Sequence, residues 1–176
     1  MKQDFITTKF SIVPATEGEN LTPEKAREIL SELFYIPANE KVMRLPLLHN
    51  TAILIYCVPE KLIHNTVVAK GTPLVYNMIN SLQYIQDHNK LIINITKEQR
   101  LGNLLLLHIV LQEGDKFILA NTHNAPDFNT VLYYLLLSIK NVQLNPNQTK
   151  VYLYSTDIEK SEQLLLKQYF KGIEKI

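Results

Sequence analysis

The sequence predicts an α/β protein, with mixed sheets and helices packed against them. Three observations predict it. Branched apolar runs of strand length recur, above all at residues 90–95, 104–111 and 117–120. The next stretch changes period: Phe128, Val131, Leu132, Leu135, Leu136 and Ile139 recur at spacings of three and four, one stripe of a helix. After the break at Asn145-Pro146-Asn147, another apolar run follows at 150–154. Strand, strand, strand, helix, strand suits a mixed sheet covered by helices.

The elements before this stretch read in order. Residues 5–13 form a strand that Pro14 ends. Thr22 is placed to cap a helix whose first position is Pro23. Ala26, Ile29, Leu30, Leu33 and Phe34 make its apolar face, and Pro37-Ala38-Asn39 breaks it. Residues 41–47 and 51–58 pair as a hairpin about His49-Asn50, and Pro46 puts the first of them at a sheet edge or a bulge. Pro59-Glu60-Lys61 opens a weak helix with Leu62, Ile63 and Val67 on its apolar side. Thr72 and Pro73 repeat the pattern of cap then proline, for a helix running to residue 86 with Leu74, Met78, Leu82 and Ile85 inward.

The turn Asp87-His88-Asn89 is the expected boundary between a partial first α/β subdomain, 1–87, and a second, 88–176. In the second, 96–103 is a charged loop or wide hairpin. Gly114 sits in a tight reversal, where glycine takes positive φ without steric cost. Three strands joined this way form an antiparallel meander, and the strand reached through the crossover helix runs parallel. Asn124 is expected to cap that helix, with Asp127 at its third position. Thr156 and Glu159 have capping-box spacing for a last helix, which presents Leu165 and Tyr169 and stops at Gly172.

Composition excludes several classes of function. Of 176 residues, 46% are apolar, enough for a sizeable core. A net charge of +1, with no basic cluster, gives no field for nucleic acid or anionic lipid, so neither is an expected partner. Cys57 is the single cysteine, so no internal disulfide forms, and its apolar surroundings mark it as a small buried hydrophobe. The opening residues MKQDFITTKF lack the apolar segment of about 7–15 residues that a signal peptide carries. No apolar run approaches the ~20 residues of a membrane span. A cytoplasmic protein is expected.

Chemistry-bearing motifs are sparse. His49, His64, His88, His108 and His123 show no metal-ligand spacing, and no metal is expected. Gly18, Gly71, Gly102, Gly114 and Gly172 form neither GxGxxG nor a Walker loop. There is no GxSxG elbow, and Ser138 lies inside the apolar helix. Nucleases with three antiparallel strands, a helix and a parallel strand hold divalent ions with carboxylates. Here the first core strand offers the neutral Asn94, while Asp115, Asp127 and Asp157 have turn or capping roles. No catalytic residue is assigned. Asn121, Thr122, His123 and Asn124 form one polar cluster between a strand and a helix N-terminus, where unpaired N–H groups and the helix dipole favour an anion. A turn and a cap explain the same residues. Tyr133 and Tyr134 are a candidate interaction surface on that helix.

Four segments carry a family resemblance: FSIVPA at 10–15, IYCVPEKL at 55–62, FILANT with PDFNTVLYYLLL, and LNPNQTKVYLYS. Together, over residues 10–155, they resemble a family of uncharacterised Bacteroidetes proteins, the domain of unknown function DUF3822. The resemblance implies an actin-like ATPase fold of two related ribonuclease-H-like subdomains, with 90–154 the nucleus of the second. Active actin-like ATPases carry an aspartate and glycines in the first hairpin of each subdomain. The loop here reads NITKEQRLGN, without Asp-x-Gly. The expectation is therefore a non-catalytic scaffold or protein-interaction protein without a cofactor. The alternative is a nucleotide-binding protein or ATPase of the actin-like class, taking ATP with Mg²⁺. Its candidate contacts are Lys97, Arg100 and Gly102 on the core loop and Asn121, Thr122 and His123. Family members are usually longer at the N-terminus, so the resemblance also implies absent opening strands. The sheet edge so exposed would serve self-association or a protein partner.

Overall fold

The computed structural model describes residues 4–18, 21–63, 71–98, 104–156 and 158–176. His64, Val67, Arg100, Gly102 and Asp157 lie outside the described residues. The chain divides into two compact units, Met1–Asn80 and Ser81–Ile176. The expected boundary at 87/88 falls inside the second of these.

In the first unit the expected opening strand is split. β1 (Asp4–Phe5) and β2 (Phe10–Pro14) are followed by a single helical turn, α1 (Ala15–Gly18), and by α2 (Pro23–Leu33). Thr22 caps α2 as expected, its hydroxyl accepting from the Lys25 N–H at 3.2 Å, with Pro23 in the first turn. β3 (Glu40–Leu47) and β4 (Ala52–Pro59) form the expected hairpin. Its turn runs through Leu48, His49 and Asn50 at φ of 50°, 55° and 66°, and the Thr51 hydroxyl donates to the Leu48 carbonyl at 2.7 Å. The sheet order is β2-β4-β3, so Pro46 lies on an edge strand, the place in a sheet where a residue without an N–H is tolerated. Val13, Leu21, Ala26, Leu30, Ile55 and Cys57 form the core between α2 and this sheet. Leu33 is 61% exposed, contrary to expectation. The helix ends there, and Phe34, whose N–H closes on the Leu30 carbonyl, packs on the core instead.

α3 (Glu60–Ile63) is one turn, β5 (Thr72–Pro73) pairs in parallel with β1, and α4 (Leu74–Ser81) follows. Thr72 and Pro73 are thus extended residues rather than cap and first turn. The Thr72 hydroxyl accepts from the Asn77 amide at 2.7 Å. Leu74 and Met78 are buried on α4. The expected helix to residue 86 tightens into a 3₁₀ turn at Leu82–Tyr84, with Leu82 and Ile85 buried.

The second unit holds β6 (Asn89–Glu98), β7 (Leu104–Glu113), β8 (Lys116–Ala125), α5 (Phe128–Asn141), β9 (Lys150–Leu153), α6 (Lys160–Tyr169) and β10 (Gly172–Lys175). Its five-stranded sheet has the order β10-β9-β6-β7-β8. β6, β7 and β8 form the antiparallel meander, and β9 and β10 run parallel to β6, as a return through a crossover helix requires. Strand alternation places Leu91, Ile93, Leu107, Ile109, Leu111, Val151 and Leu153 on one face. Val131, Leu132, Leu135 and Ile139 of α5 and Leu166 of α6 pack against them. Gly114 turns β7 into β8 at φ 54°, as expected.

Three expectations fail here for identifiable reasons. β8 keeps its pairing with β7 through Ala125 opposite Leu105, so Asn121 to Asn124 are strand residues. The cap of α5 is then Asp127, whose carboxylate accepts from the Thr130 N–H at 2.8 Å and hydroxyl at 2.9 Å. Thr156 does not cap α6. Its hydroxyl donates to the Ile95 carbonyl at 2.7 Å and accepts from the Ile95 N–H at 3.3 Å, extending the β6 ladder where β9 has ended. Gly172 does not terminate a helix: α6 stops at Phe170, and Gly172 opens β10 opposite Lys150.

Candidate functional site

Among the described residues of the second unit, two clefts bring polar side chains together. The first lies where β6 and β9 end and α6 begins. Thr96 and Lys97 on β6, Phe128 at the start of α5, Thr156, Ile158, Glu159 and Glu162 line a cavity of about 320 Å³. Lys97 is exposed, opposite Leu105. The amide groups of a helix's first turn attract anions, but α6 supplies its own. Glu159 and Glu162 form a capping box, and the Glu162 carboxylate accepts from the Glu159 N–H at 2.7 Å. Asn94, at the position where the nuclease pattern would have a metal-holding carboxylate, has both polar ends engaged. Its amide donates to the Tyr154 carbonyl at 2.8 Å, and its oxygen accepts from the Thr96 hydroxyl at 3.0 Å. Among the described residues no three His, Cys, Asp or Glu side chains gather as a metal site would require.

Asn121, Thr122 and His123 do not line this cavity. They stand on β8, the outer strand of the sheet order. The Asn121 side-chain oxygen accepts from the Thr122 N–H at 2.8 Å. His123 lies flat on Tyr134, ring centroids 4.2 Å apart at 9°, and burial pushes its imidazole below the ordinary value. Tyr133 meets Tyr134 edge-on at 5.5 Å and is 58% exposed. The three rings thus form one aromatic group along α5 and β8. Of the core-loop candidates, Lys97 alone falls among the described residues.

The second cleft is about 430 Å³ and is lined by residues that no sequence motif marks. Its polar side is a connected network. Asp87 accepts hydrogen bonds from the Tyr152 hydroxyl and from the Lys171 ammonium, the latter at 3.0 Å. Lys150 is 3.7 Å from Asp87, is paired with Glu174, and sits 5.2 Å from the centre of the Tyr152 ring. The Tyr152 and Lys171 hydrogen bonds hold the Asp87 carboxyl below the usual aspartate range. Burial first, then the Asp87 carboxylate, pushes the Tyr152 phenol up. Its hydrogen bond to Glu174 raises the Lys150 ammonium. Tyr84, Ile85, Tyr154 and Ile176 supply the apolar side. One sequence signal was available: Lys150, Tyr152 and Tyr154 alternate with the core residues Val151 and Leu153. Their acidic partners are distant in sequence, and Glu174 lies on the strand that periodicity missed.

The model of a family described as a protein of unknown function (DUF3822) matches residues 6–173. No curated protein matches the sequence. A crystal structure of a Bacteroides thetaiotaomicron protein, described as having an actin-like ATPase fold and unknown function, superposes with a TM-score of 0.76 at 18% sequence identity. The match covers 97% of this chain and 66% of that one. At this identity the likeness establishes the fold: mixed α/β, of the actin-like ATPase kind.

Proposed function

The chain belongs to the DUF3822 family, and from that premise we propose that it is a protein-interaction or scaffold module that keeps the actin-like fold without ATP hydrolysis. One observation carries the reading. The cleft at the ends of β6 and β9 presents Glu159 and Glu162 at the N-terminus of α6, with the Glu159 N–H already held by the Glu162 carboxylate. A phosphate entering there would have to displace this carboxylate and face a second one. Like charges at contact distance oppose its binding. Asn94 adds to the argument, since its amide is committed to backbone and Thr96 and brings no negative charge for a divalent ion. The exposed rings of Tyr133 and Tyr84 give such a module aromatic contact surface.

A second reading rests on Lys97, which lines the same cleft and would meet a phosphate group. Thermal melting with and without ATP and Mg²⁺ separates the two. Ligand at a hundred times its dissociation constant stabilises a folded chain by about 2.7 kcal/mol. The scaffold reading expects an unchanged melting temperature. A rise that grows with ATP concentration and disappears in Lys97→Ala would establish nucleotide binding instead.

A further inference from the structure

We propose that the cleft around Asp87 and Tyr152 receives an uncharged aromatic side chain presented by a partner protein. The inference rests on the interaction reading above and names what that partner carries. Three features argue for it. First, the volume of about 430 Å³ falls in the range of pockets that enclose a ligand group, roughly 300–1,000 Å³. Second, the charges are internally balanced. Asp87 and Glu174 are matched by Lys150 and Lys171 through the contacts at 3.0 and 3.7 Å and the Lys150–Glu174 pair. A charged ligand would have to break one of these pairs, whereas a neutral ring need not. Third, Tyr84 is 79% exposed at the rim, where its ring can lie against an incoming one, with Ile85, Tyr154 and Ile176 giving apolar wall. The exposed Gln86 adds an amide able to accept from an indole N–H or a phenol O–H.

The chain contains no tryptophan, so a tryptophan probe reports without background. The test titrates the full chain into N-acetyl-tryptophanamide and follows the probe's emission. The expected result is a saturable change with wild type. Affinity should fall at least tenfold in Tyr84→Ala and in Ile176→Ala, both at exposed positions whose truncation leaves the fold intact, as the melting temperatures will verify. Acetylated lysine and glutamate amides should not compete. No saturable change up to the probe's solubility limit would overturn the proposal, and so would equal affinity in both variants. Indole binding more tightly than the capped residue would also overturn it, because the cleft would then select a free ring over one borne on a polypeptide. None of these results depends on nucleotide, so the melting experiment with ATP judges the interaction reading separately.

Discussion

Thr156 shows how one hydroxyl can replace a length of strand. β9 ends at Leu153, yet both backbone groups of Ile95 remain bonded, because the Thr156 hydroxyl donates to one and accepts from the other. Thr156→Val keeps the shape and removes both bonds. It should lower unfolding stability by about 1–3 kcal/mol, the cost of stranding buried backbone groups, measured by urea denaturation. An unchanged midpoint would mean that water or a backbone shift replaces the hydroxyl. Asp87 sets a pH dependence. Its folded carboxyl titrates below that of the unfolded chain, held down by Tyr152 and Lys171. The stability it contributes is therefore complete above the unfolded value, about 3.9, and is lost as pH falls through the folded value. Asp87→Asn should flatten this part of the acid limb and leave the neutral region's slope unchanged. An identical acid limb in wild type and variant would remove Asp87 from the network's energetics. The Thr22 cap was legible because its partner, the Lys25 N–H, is three residues away and a full apolar stripe follows, whereas at Thr72-Pro73 pairing with the distant β1 overrides the same local pattern. The roles of Thr156 and Asp87 were not legible, because their partners lie far along the chain.

Elements with a strong period were legible. α5 and the meander β6-β7-β8 follow from spacing and branched residues alone, and Gly114 from its place in a tight reversal. Gly114 makes that turn at φ 54°, where an added Cβ would stand 3.0 Å from Cε1 of His88. Gly114→Ala should cost about 1–2 kcal/mol from the left-handed backbone alone, with a further penalty for moving the imidazole. Chemical denaturation checks it, and a loss below a few tenths would mean that the turn relaxes to another conformation. The far half of β8 and all of β10 were illegible for different reasons. Asn121-Thr122-His123-Asn124 has the composition of a turn, and only its partner strand holds it extended. Gly172–Lys175 is short and half charged, and becomes a strand by lying beside β9. In both cases tertiary pairing overrides local propensity.

At the scale of the molecule, the α/β class and the actin-like fold were within reach of the sequence, since they depend on element order and on four characteristic segments. The site was not. Its first cleft takes shape only when α6 is seen to begin at Lys160, which puts Glu159 and Glu162 at the helix start. Under the proposed function, Glu159 and Glu162 bar a triphosphate from this cleft. Calorimetric titration of ATP with Mg²⁺ into the purified chain tests it most directly. No heat beyond dilution is expected at protein concentrations that would register a micromolar complex, one worth about 8 kcal/mol. Saturable binding at that affinity, weakened in Lys97→Ala, would contradict it and make the cleft a nucleotide site.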